Sequence, residues 1–371
     1  MLSRSIFNDF DAEAAVRHGL PGEAYTSPAF LKAEQEYLFG NSWVLVGYVH
    51  QFSRRGDVKP IEVGGLPLFL LRDGMDKIVA FHNLCRHRNL KLIDADGTVG
   101  KLIRCPYHSW SYDFCGALKN APYFGGAMRE LPPDFDFADN GLLPVNCEVW
   151  HDWIFVNLSS QPVAFEDFLA PIKRQLGDTD VNKYLPVATL EFGEVACNWK
   201  LLTENFIEPY HVQFVHNKTT EQPLEDHYTV IDDHCIGSAV ELSMEQQAQA
   251  DLSALGVTSH YLTLFPSFIM GTYQPDQMGV YLHVPLGPER TRQTRVIYTH
   301  QDAHYSDSQI QQIADLWHNV HLEDHEMCVR MQQGRHSPLA ADGGLLSPRW
   351  ENSVRRFQEM VADSVRPALT D

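Results

Sequence analysis

The chain has 371 residues, 44% of them hydrophobic, and its 48 acidic residues outnumber its 29 basic ones to give a formal net charge of −19. This charge, without a basic stripe, excludes nucleic acid as a partner, and the sequence lacks the run of roughly 18 apolar residues that a membrane-spanning helix needs. At roughly 150 residues per domain, the length predicts two domains. The N-terminus lacks the apolar core of a signal peptide, and most cysteines are scattered, which predicts reduced thiols in a cytoplasmic protein.

The first predicted elements are one helix and three short strands. The helix covers Ala29–Phe39, with Ser27 as its N-cap, Pro28 in its first turn and Gly40 beyond its end. Runs rich in Val, Ile, Leu and Phe, separated by Gly-Gly and Asp-Gly turn signals, then predict strands. These strands are Val58–Val63, Pro67–Arg72 and Ile78–Asn83.

Two clusters of cysteine and histidine follow the third strand. Cys85 and His87 form the first cluster, and Cys105 and His108 form the second after 17 intervening residues. Two thiolates and two imidazoles suit a tetrahedral zinc ion. They also suit a Rieske [2Fe-2S] cluster, in which two Cys hold one iron and two His hold the other. Each cluster mixes one Cys with one His, which favours the Rieske interpretation. We expect both clusters to lie on loops at strand ends.

A second candidate metal site begins in the run Asn198–His211. Apolar residues at helical spacing predict a helix at its start, and Pro209 predicts an irregular turn after that helix. Glu208 and His211 lie three residues apart. A bend in the chain between His211 and His216 would bring both imidazoles to one metal ion. Two His and one carboxylate on one face of an iron leave three positions open. The spacing of the two histidines is by itself also compatible with an incidental pair.

An amphipathic helix near residues 307–333 offers the carboxylate. Ser306 or Asp307 caps it, and its apolar face is marked by Ile310, Ile313, Trp317 and Val320. The same phase places Asp324, with Cys328 and Met331, on that face, where a carboxylate needs a partner or a metal. The alternatives are that hydrogen bonds alone satisfy Asp324, or that Glu323 is the ligand after a shift of one residue.

The segment Cys85–Tyr112, with Cys-Pro-Tyr-His-x-Trp at its centre, resembles the Rieske domain of the non-haem iron oxygenases. Ser109 stands where the family commonly has Gly, and Phe114-Cys115-Gly116 replaces an Asp-Gly turn, but neither departure touches a ligand. The segment Asn198–His216 resembles the mononuclear iron motif of the same family. Asp324 matches the family's position for the carboxylate ligand.

The resemblance implies an α+β fold with two domains. A Rieske domain of antiparallel strands covers residues 41–158, and a helix-grip (START-like) catalytic domain, with an antiparallel sheet and long helices, covers residues 159–371. Residues 1–40 form a helical leader that packs on the catalytic domain. Alternating runs predict catalytic-domain strands at Tyr228–Leu242 and Val280–Pro285, and a last helix is marked by Trp350, Val354, Phe357 and Val361.

The resemblance also assigns roles to the candidate site residues. Cys85, His87, Cys105 and His108 bind the [2Fe-2S] cluster, and His211, His216 and Asp324 bind a mononuclear Fe(II). In the family, the acidic residue at the position of Glu208 bridges a cluster histidine of one subunit to an iron histidine of its neighbour, so a homotrimer is implied. We expect Asn205 to orient oxygen or water near the iron, with a structural hydrogen bond as the alternative.

Glu208 also bears on the substrate. Family members that hydroxylate aromatic rings mostly have Asp at this position, whereas a branch that acts on quaternary ammonium compounds more often has Glu. Aromatic rings attract methylated ammonium groups through cation–π interactions. The candidates are Tyr261, Phe265, Phe268, Tyr273 and Tyr281. Packing in the core, or lining a pocket for an aromatic ring, is the alternative role for these residues.

The function implied is that of an oxygenase component. A flavin/iron–sulfur reductase supplies electrons from NADH or NADPH, and the protein uses O2 to hydroxylate or N-demethylate a betaine, carnitine or choline. The first alternative is an aromatic-ring hydroxylating dioxygenase or O-demethylase on the same machinery. The second is a non-catalytic Rieske electron-transfer protein.

Overall fold

The computed structural model describes residues 2–127, 131–217, 219, 223–241 and 258–370. It divides into two units. One unit is Phe39–Pro162, and the other combines Met1–Leu38 with Val163–Asp371. The domain limits given from the sequence, residues 41 and 158, stay a prediction. Among the described residues, no helix combines the length and apolar character needed to cross a bilayer.

The strands are numbered in chain order. Those before residue 160 are β1 (Leu2–Ser3), β2 (Val44–Tyr48), β3 (Asp57–Val63), β4 (Leu66–Arg72), β5 (Ile78–His82), β6 (Gly97–Thr98), β7 (Ile103–Arg104), β8 (Ser111–Tyr112), β9 (Leu118–Asn120), β10 (Pro144–Trp150) and β11 (Trp153–Asn157). Those after it are β12 (Tyr184–Val195), β13 (His227–Asp232), β14 (Cys235–Glu241), β15 (Thr258–Leu264), β16 (Phe268–Tyr273), β17 (Gln277–Gly287), β18 (Arg290–His300) and β19 (Leu369–Thr370).

The helices are numbered in the same way. They are α1 (Asn8–Asp11), α2 (Glu23–Thr26), α3 (Pro28–Ala33), α4 (Phe165–Leu176), α5 (Trp199–Ile207), α6 (Val212–Val215), α7 (Asp307–Gly334) and α8 (Asn352–Val365). A π-helical segment covers Glu34–Phe39. Short 3-10 helices cover Arg4–Phe7, Val49–Gln51, Ala138–Asn140, Val181–Lys183, Leu224–Asp226, Pro338–Ala340 and Arg366–Ala368.

The unit Phe39–Pro162 is built on antiparallel strands. Its larger sheet has seven described strands in the order β2-β11-β10-β5-β4-β3-β6, and a smaller sheet has the order β7-β8-β9. The three strands predicted from the sequence are confirmed as β3, β4 and β5, with ends shifted by at most one residue. Cys85 follows β5, and the segment Cys105–His108 connects β7 to β8. Both cysteine–histidine clusters therefore lie on loops at strand ends, as predicted.

The second unit contains a larger antiparallel sheet. Its seven described strands have the order β12-β18-β17-β16-β15-β14-β13. Helix α5 contacts α7 and strands β14, β15 and β17, while α7 contacts β12 and α8 contacts β13 and β14. The predicted α+β class with antiparallel sheets is confirmed. The helix predicted near 307–333 is α7, and Ser306 rather than Asp307 is its N-cap, in a capping box with Gln309.

Two predicted elements differ from the structure. The single strand predicted at Tyr228–Leu242 is a hairpin of β13 and β14, because Asp233 adopts a positive φ of 56° in a tight turn; Leu242 lies outside the described residues. The helix predicted at Ala29–Phe39 begins at Pro28 with Ser27 as its N-cap, as expected, but it continues from Glu34 with π-helical geometry.

A fully buried ion pair joins the N-terminal segment to α5. The ammonium of Lys200 lies 2.6 Å from a carboxylate oxygen of Glu34, and both side chains have 0% exposure. The indole of Trp199 donates a second hydrogen bond to Glu34, and Lys200 packs over the rings of Tyr25 and Phe30. Burial raises the pKa of Glu34 and lowers that of Lys200, and each partner's charge opposes the shift. The pair is stable because the two charges compensate each other.

We predict that Lys200→Met destabilises the protein by about 3–5 kcal/mol, since it leaves the Glu34 carboxylate buried without a counter-charge. The double variant Lys200→Met/Glu34→Gln removes both charges and should recover most of this loss. Urea unfolding followed by circular dichroism measures both changes. A double variant as unstable as the single one would show that the uncompensated charge is not the cause.

Candidate metal centres

The two cysteine–histidine loops have the same backbone geometry. The carbonyl oxygen of Cys85 accepts a hydrogen bond from the N–H of Asn89, and that of Cys105 accepts one from the N–H of Ser109, in each case four residues later. Each cysteine N–H donates to the carbonyl five residues later. Asn89 and Ser109 both adopt positive φ, 55° and 60°. This conformation explains why Gly, which adopts it without strain, suits the position of Ser109.

The side chains of these loops fit an iron–sulfur cluster. Cys85 and Cys105 are buried, and neither forms a disulfide bond. The imidazoles of His87 and His108 lie with ring centroids 4.6 Å apart. The Nδ1 atom of His87 is buried and has no hydrogen-bond partner among the described residues. A buried nitrogen without a partner is costly unless a ligand or metal uses it, so the set suits the two-sulfur, two-nitrogen ligation of a Rieske cluster.

Neighbouring side chains support the same loops. The hydroxyl of Tyr112 accepts a hydrogen bond from the N–H of Arg86 and lies 3.3 Å from Sγ of Cys85. Burial and the bond to Cys85 raise the pKa of Tyr112, so the hydroxyl keeps its proton and can donate a hydrogen bond to the sulfur. Hydrogen bonds to cluster sulfurs tune the reduction potential. Trp110 stacks on the ring of His87.

The segment after α5 is shaped by Pro209. Asn198 caps the N-terminus of α5 by accepting a hydrogen bond from the N–H of Lys200. The helix ends at Ile207, and Glu208 is extended, with φ −116° and ψ 141°, because the residue before a proline is disfavoured in the α conformation. The chain then turns into α6, which His211 precedes and His216 follows. The predicted break in the helix is confirmed.

The structure brings His211, His216 and Asp324 together. One ligand atom from each lies within 4.8 Å of the other two. Oδ1 of Asp324 is 3.0 Å from Nε2 of His216 and 3.6 Å from Nε2 of His211. Two histidines and one carboxylate arranged in this way fit a facial triad for non-haem iron.

A glutamate holds the other nitrogen of each imidazole. Nδ1 of His211 donates to Oε1 of Glu208 at 2.6 Å, and Nδ1 of His216 donates to Oε2 of Glu323 at 2.7 Å. Because a carboxylate only accepts, each Nδ1 carries a proton, and both Nε2 atoms are directed toward Asp324, where a metal ion would take the place of any proton on them. Burial lowers the pKa of His211, but Glu208 and Asp324 outweigh it and raise that pKa to about 8. The same negative charge favours a metal cation.

Glu323 is therefore not placed as a ligand, the alternative considered from the sequence. The triad contains Asp324 instead, and Glu323 accepts hydrogen bonds from His216 and from the hydroxyl of Thr219. In the sequence, the phase of the apolar face of α7 and the family's ligand position both favoured Asp324. Met331, expected on that face, is exposed, and Gln332 is buried in its place.

Asn205 lies among the same atoms. Its amide nitrogen donates to Oδ1 of Asp324 at 3.1 Å and lies 3.2 Å from Nε2 of His211. Its amide oxygen accepts a hydrogen bond from the thiol of Cys328, which fixes the orientation of the amide. The side chain thus contacts two of the three triad residues.

A cavity of about 300 Å³ opens beside the triad. Its described lining includes Tyr261, Tyr273 and Tyr281, three of the five aromatic residues proposed from the sequence. Phe265 and Phe268 do not line it, which corrects the prediction for these two. Phe265 packs against Phe357 of α8, and Phe268 is fully buried. Phe206 and Trp317 also line the cavity.

We predict that Ser109→Gly stabilises the cluster-loaded protein by about 0.5–1 kcal/mol, because it relieves positive φ at a non-glycine residue. Asn89→Gly is the matched control and should have a smaller effect, since Asn tolerates this conformation. The midpoint of thermal bleaching of the cluster's visible absorption measures both. Equal or opposite shifts in the two variants would contradict the strain argument.

The family described as the ring hydroxylating alpha subunit (catalytic domain) matches residues 179–366, and the Rieske [2Fe-2S] domain matches residues 42–132. The chain is 28% identical to the glycine betaine monooxygenase oxygenase subunit of Chromohalobacter salexigens, over 95% of this chain and 87% of that protein. It is 26% identical to the chloroplastic choline monooxygenase of Atriplex hortensis, over 95% and 80%.

A solved structure has the same fold. The quaternary ammonium Rieske monooxygenase CntA, in complex with gamma-butyrobetaine, matches with a TM-score of 0.79 at 22% identity, covering 96% of this chain and 98% of that one. The catalytic-domain match over residues 179–366 overturns the alternative of a non-catalytic electron-transfer protein. The chain belongs to the ring-hydroxylating alpha subunit family and is a Rieske non-haem iron oxygenase.

Proposed function

We propose that this protein is the oxygenase component of a monooxygenase that hydroxylates or N-demethylates a quaternary ammonium compound such as a betaine, carnitine or choline. One observation carries the proposal: the cavity at the His211, His216 and Asp324 triad is walled by aromatic rings. The names of the related glycine betaine and choline monooxygenases support this function over aromatic-ring hydroxylation.

The triad residues fit a mononuclear iron, because one ligand atom of each lies within 4.8 Å of the other two and glutamates hold the opposite nitrogens of both imidazoles. When bound, Fe(II) supplies the centre at which O2 is activated with electrons from the cluster. Asn205, which contacts His211 and Asp324, orients oxygen or water beside that centre. Cys85, His87, Cys105 and His108 are the proposed ligands of the cluster.

The cavity wall suits a methylated ammonium group. Phe206 contacts the rings of Tyr261 and Tyr281, at centroid distances of 6.0 and 4.8 Å, and Tyr261 contacts Tyr273 at 5.6 Å. Such a group lacks hydrogen-bond donors and acceptors, so aromatic faces bind it through cation–π attraction. Held in this wall beside the triad, an N-methyl carbon is placed for hydroxylation. The product then releases formaldehyde and leaves a demethylated amine.

Glu208 is the proposed link for electron transfer. Its carboxylate already accepts hydrogen bonds from Nδ1 of His211 and from the N–H of Tyr210. In the proposed homotrimer, this carboxylate also accepts a hydrogen bond from a cluster histidine of the neighbouring subunit. A flavin/iron–sulfur reductase supplies the electrons from NADH or NADPH, and the proposed location of the protein is the cytoplasm.

With reductase, NADH and O2, we predict release of formaldehyde or a hydroxylated product from at least one compound among glycine betaine, choline, carnitine and γ-butyrobetaine. Oxygen consumption coupled to product is the measurement. Silence across these compounds, together with coupled turnover of an aromatic acid, would reject the proposed substrate class.

We also predict that Asp324→Ala lowers the iron content from about three to about two per chain, because it removes one triad ligand and leaves the cluster intact. Glu326→Ala is the matched control on the same helix, where Glu326 is exposed and pairs with Arg330. Metal analysis and the visible Rieske absorption measure the two sites separately. Retention of about three irons in Asp324→Ala would contradict the ligand assignment.

The variant Glu323→Gln should weaken mononuclear iron binding about 10- to 100-fold, because it removes the charge behind His216 without removing a ligand. Titration of the iron-depleted triad with Fe(II) measures the affinity. An unchanged affinity would show that Glu323 is only a surface neighbour of His216.

A further inference from the structure

His227, at the start of β13, is a buried polar side chain that the proposed reaction does not use. It lines the cavity beside the triad, and only 6% of its surface is exposed. Both ring nitrogens, Nδ1 and Nε2, are buried, and neither has a hydrogen-bond partner among the described residues. An unsatisfied buried donor or acceptor costs about 1–3 kcal/mol, so this imidazole is suited to a polar group that enters the cavity.

The partner of His227 is not an ammonium group. A quaternary ammonium carries neither a donor nor an acceptor, whereas an imidazole offers at least one N–H in either protonation state. The group that His227 binds must therefore be another part of the substrate, and it must accept a hydrogen bond. A carboxylate and a hydroxyl are the candidates among the compounds proposed above.

The charges around the cavity favour a carboxylate. Among the described lining residues, the carboxylates are Glu208 and Asp324, and both are already engaged by His211. A cationic substrate without a carboxylate of its own would therefore find, in this lining, only carboxylates that already have partners. A zwitterionic substrate carries its own counter-charge and needs none from the protein.

A buried cation lies behind the aromatic wall. The guanidinium carbon of Arg295 is 3.9 Å from the ring centroid of Trp317 and 5.0 and 5.2 Å from those of Tyr281 and Tyr273. Arg295 has 0% exposure, and its three guanidinium nitrogens have no hydrogen-bond partner among the described residues. Gly279 leaves the room that it occupies, since a Cβ there would lie 2.7 Å from Nε of Arg295.

This positive charge opposes a second uncompensated cation in the cavity. The three rings that contact Arg295 are also rings of the cavity wall. A substrate with net charge +1 is repelled across that wall, whereas a zwitterion with a net charge of zero is not. The imidazole of His227 and the guanidinium of Arg295 therefore both favour a zwitterionic substrate.

We infer that the substrate is a quaternary ammonium compound with a carboxylate, that His227 donates a hydrogen bond to this carboxylate, and that Arg295 disfavours cations without one. The inference rests on the proposed function and narrows it from betaines, carnitine and choline to the zwitterions among them. His227 is a specificity-determining residue in this account and takes no part in the reaction at the triad.

The test compares carboxylates with their methyl esters. The ligands are glycine betaine and γ-butyrobetaine, the methyl ester of each, and choline. Calorimetric titration of the iron-loaded protein without reductase gives dissociation constants, and steady-state turnover with reductase gives KM and kcat. Wild type should bind at least one of the two carboxylates about tenfold or more tightly than its ester and than choline.

In His227→Leu, the dissociation constant and KM for the carboxylate should rise about tenfold or more, while the values for its ester should rise less, because an ester carbonyl is a weaker hydrogen-bond acceptor than a carboxylate. His227→Gln keeps an N–H donor and should lose less. His260→Leu is the matched control, since His260 lies in β15 of the same sheet, two strands from β13, bonds to Thr272 and does not line the cavity. It should bind all ligands as wild type does.

Arg295→Met keeps the volume of the side chain and removes its charge. It should narrow the preference for carboxylate over ester and choline. Circular dichroism and the Rieske absorption establish that each variant is folded. If His227→Leu does not fold, His227→Gln and the wild-type comparison of acid with ester decide the question.

The two proposals fail in different ways. If wild type binds choline and the esters as tightly as the carboxylates, or if His227→Leu weakens acid and ester equally, the inference is wrong and the proposed function stands. If wild type binds none of these compounds and turns over an aromatic acid, the proposed function itself is wrong.

Discussion

The catalytic unit depends on one arrangement: each of two imidazoles is held by a carboxylate at Nδ1. Glu208 and Glu323 accept these hydrogen bonds from His211 and His216, at 2.6 and 2.7 Å. The bonds fix the tautomer and rotation of both rings, so that both Nε2 atoms face Asp324. Without these hydrogen bonds, the rings of two histidines five residues apart on an irregular turn would be free to rotate, and their Nε2 atoms would not be held toward one point.

The fold supplies this arrangement from three places. Pro209 ends α5 and lets the chain turn, so that His211 and His216 flank α6. The long helix α7 brings Asp324 and Glu323 to the same point from more than a hundred residues away. The antiparallel sheet provides the aromatic wall of the cavity. A change in the phase of α7 by one residue would exchange the roles of the two carboxylates.

The sequence predicted local features well where covalent geometry or periodicity decides them. The strands before Cys85, the break at Pro209 and the phase that selects Asp324 all follow from such rules. The hairpin within 228–242 was missed because alternation continues through a tight turn at Asp233. Phe265 and Phe268 were misplaced, Glu323 was considered only as an alternative ligand, and His227 and Arg295 were not recognised, because partners distant in the sequence decide which side chains reach the cavity.

The central claim is that one chain builds two different iron centres. Mössbauer spectroscopy of protein grown with ⁵⁷Fe tests it most directly, since it distinguishes and counts iron environments. The account predicts a coupled iron pair with inequivalent sulfur and nitrogen ligation together with a separate high-spin ferrous site, in an area ratio of about two to one. Zinc at the cysteine–histidine loops, or the coupled pair alone, would contradict it.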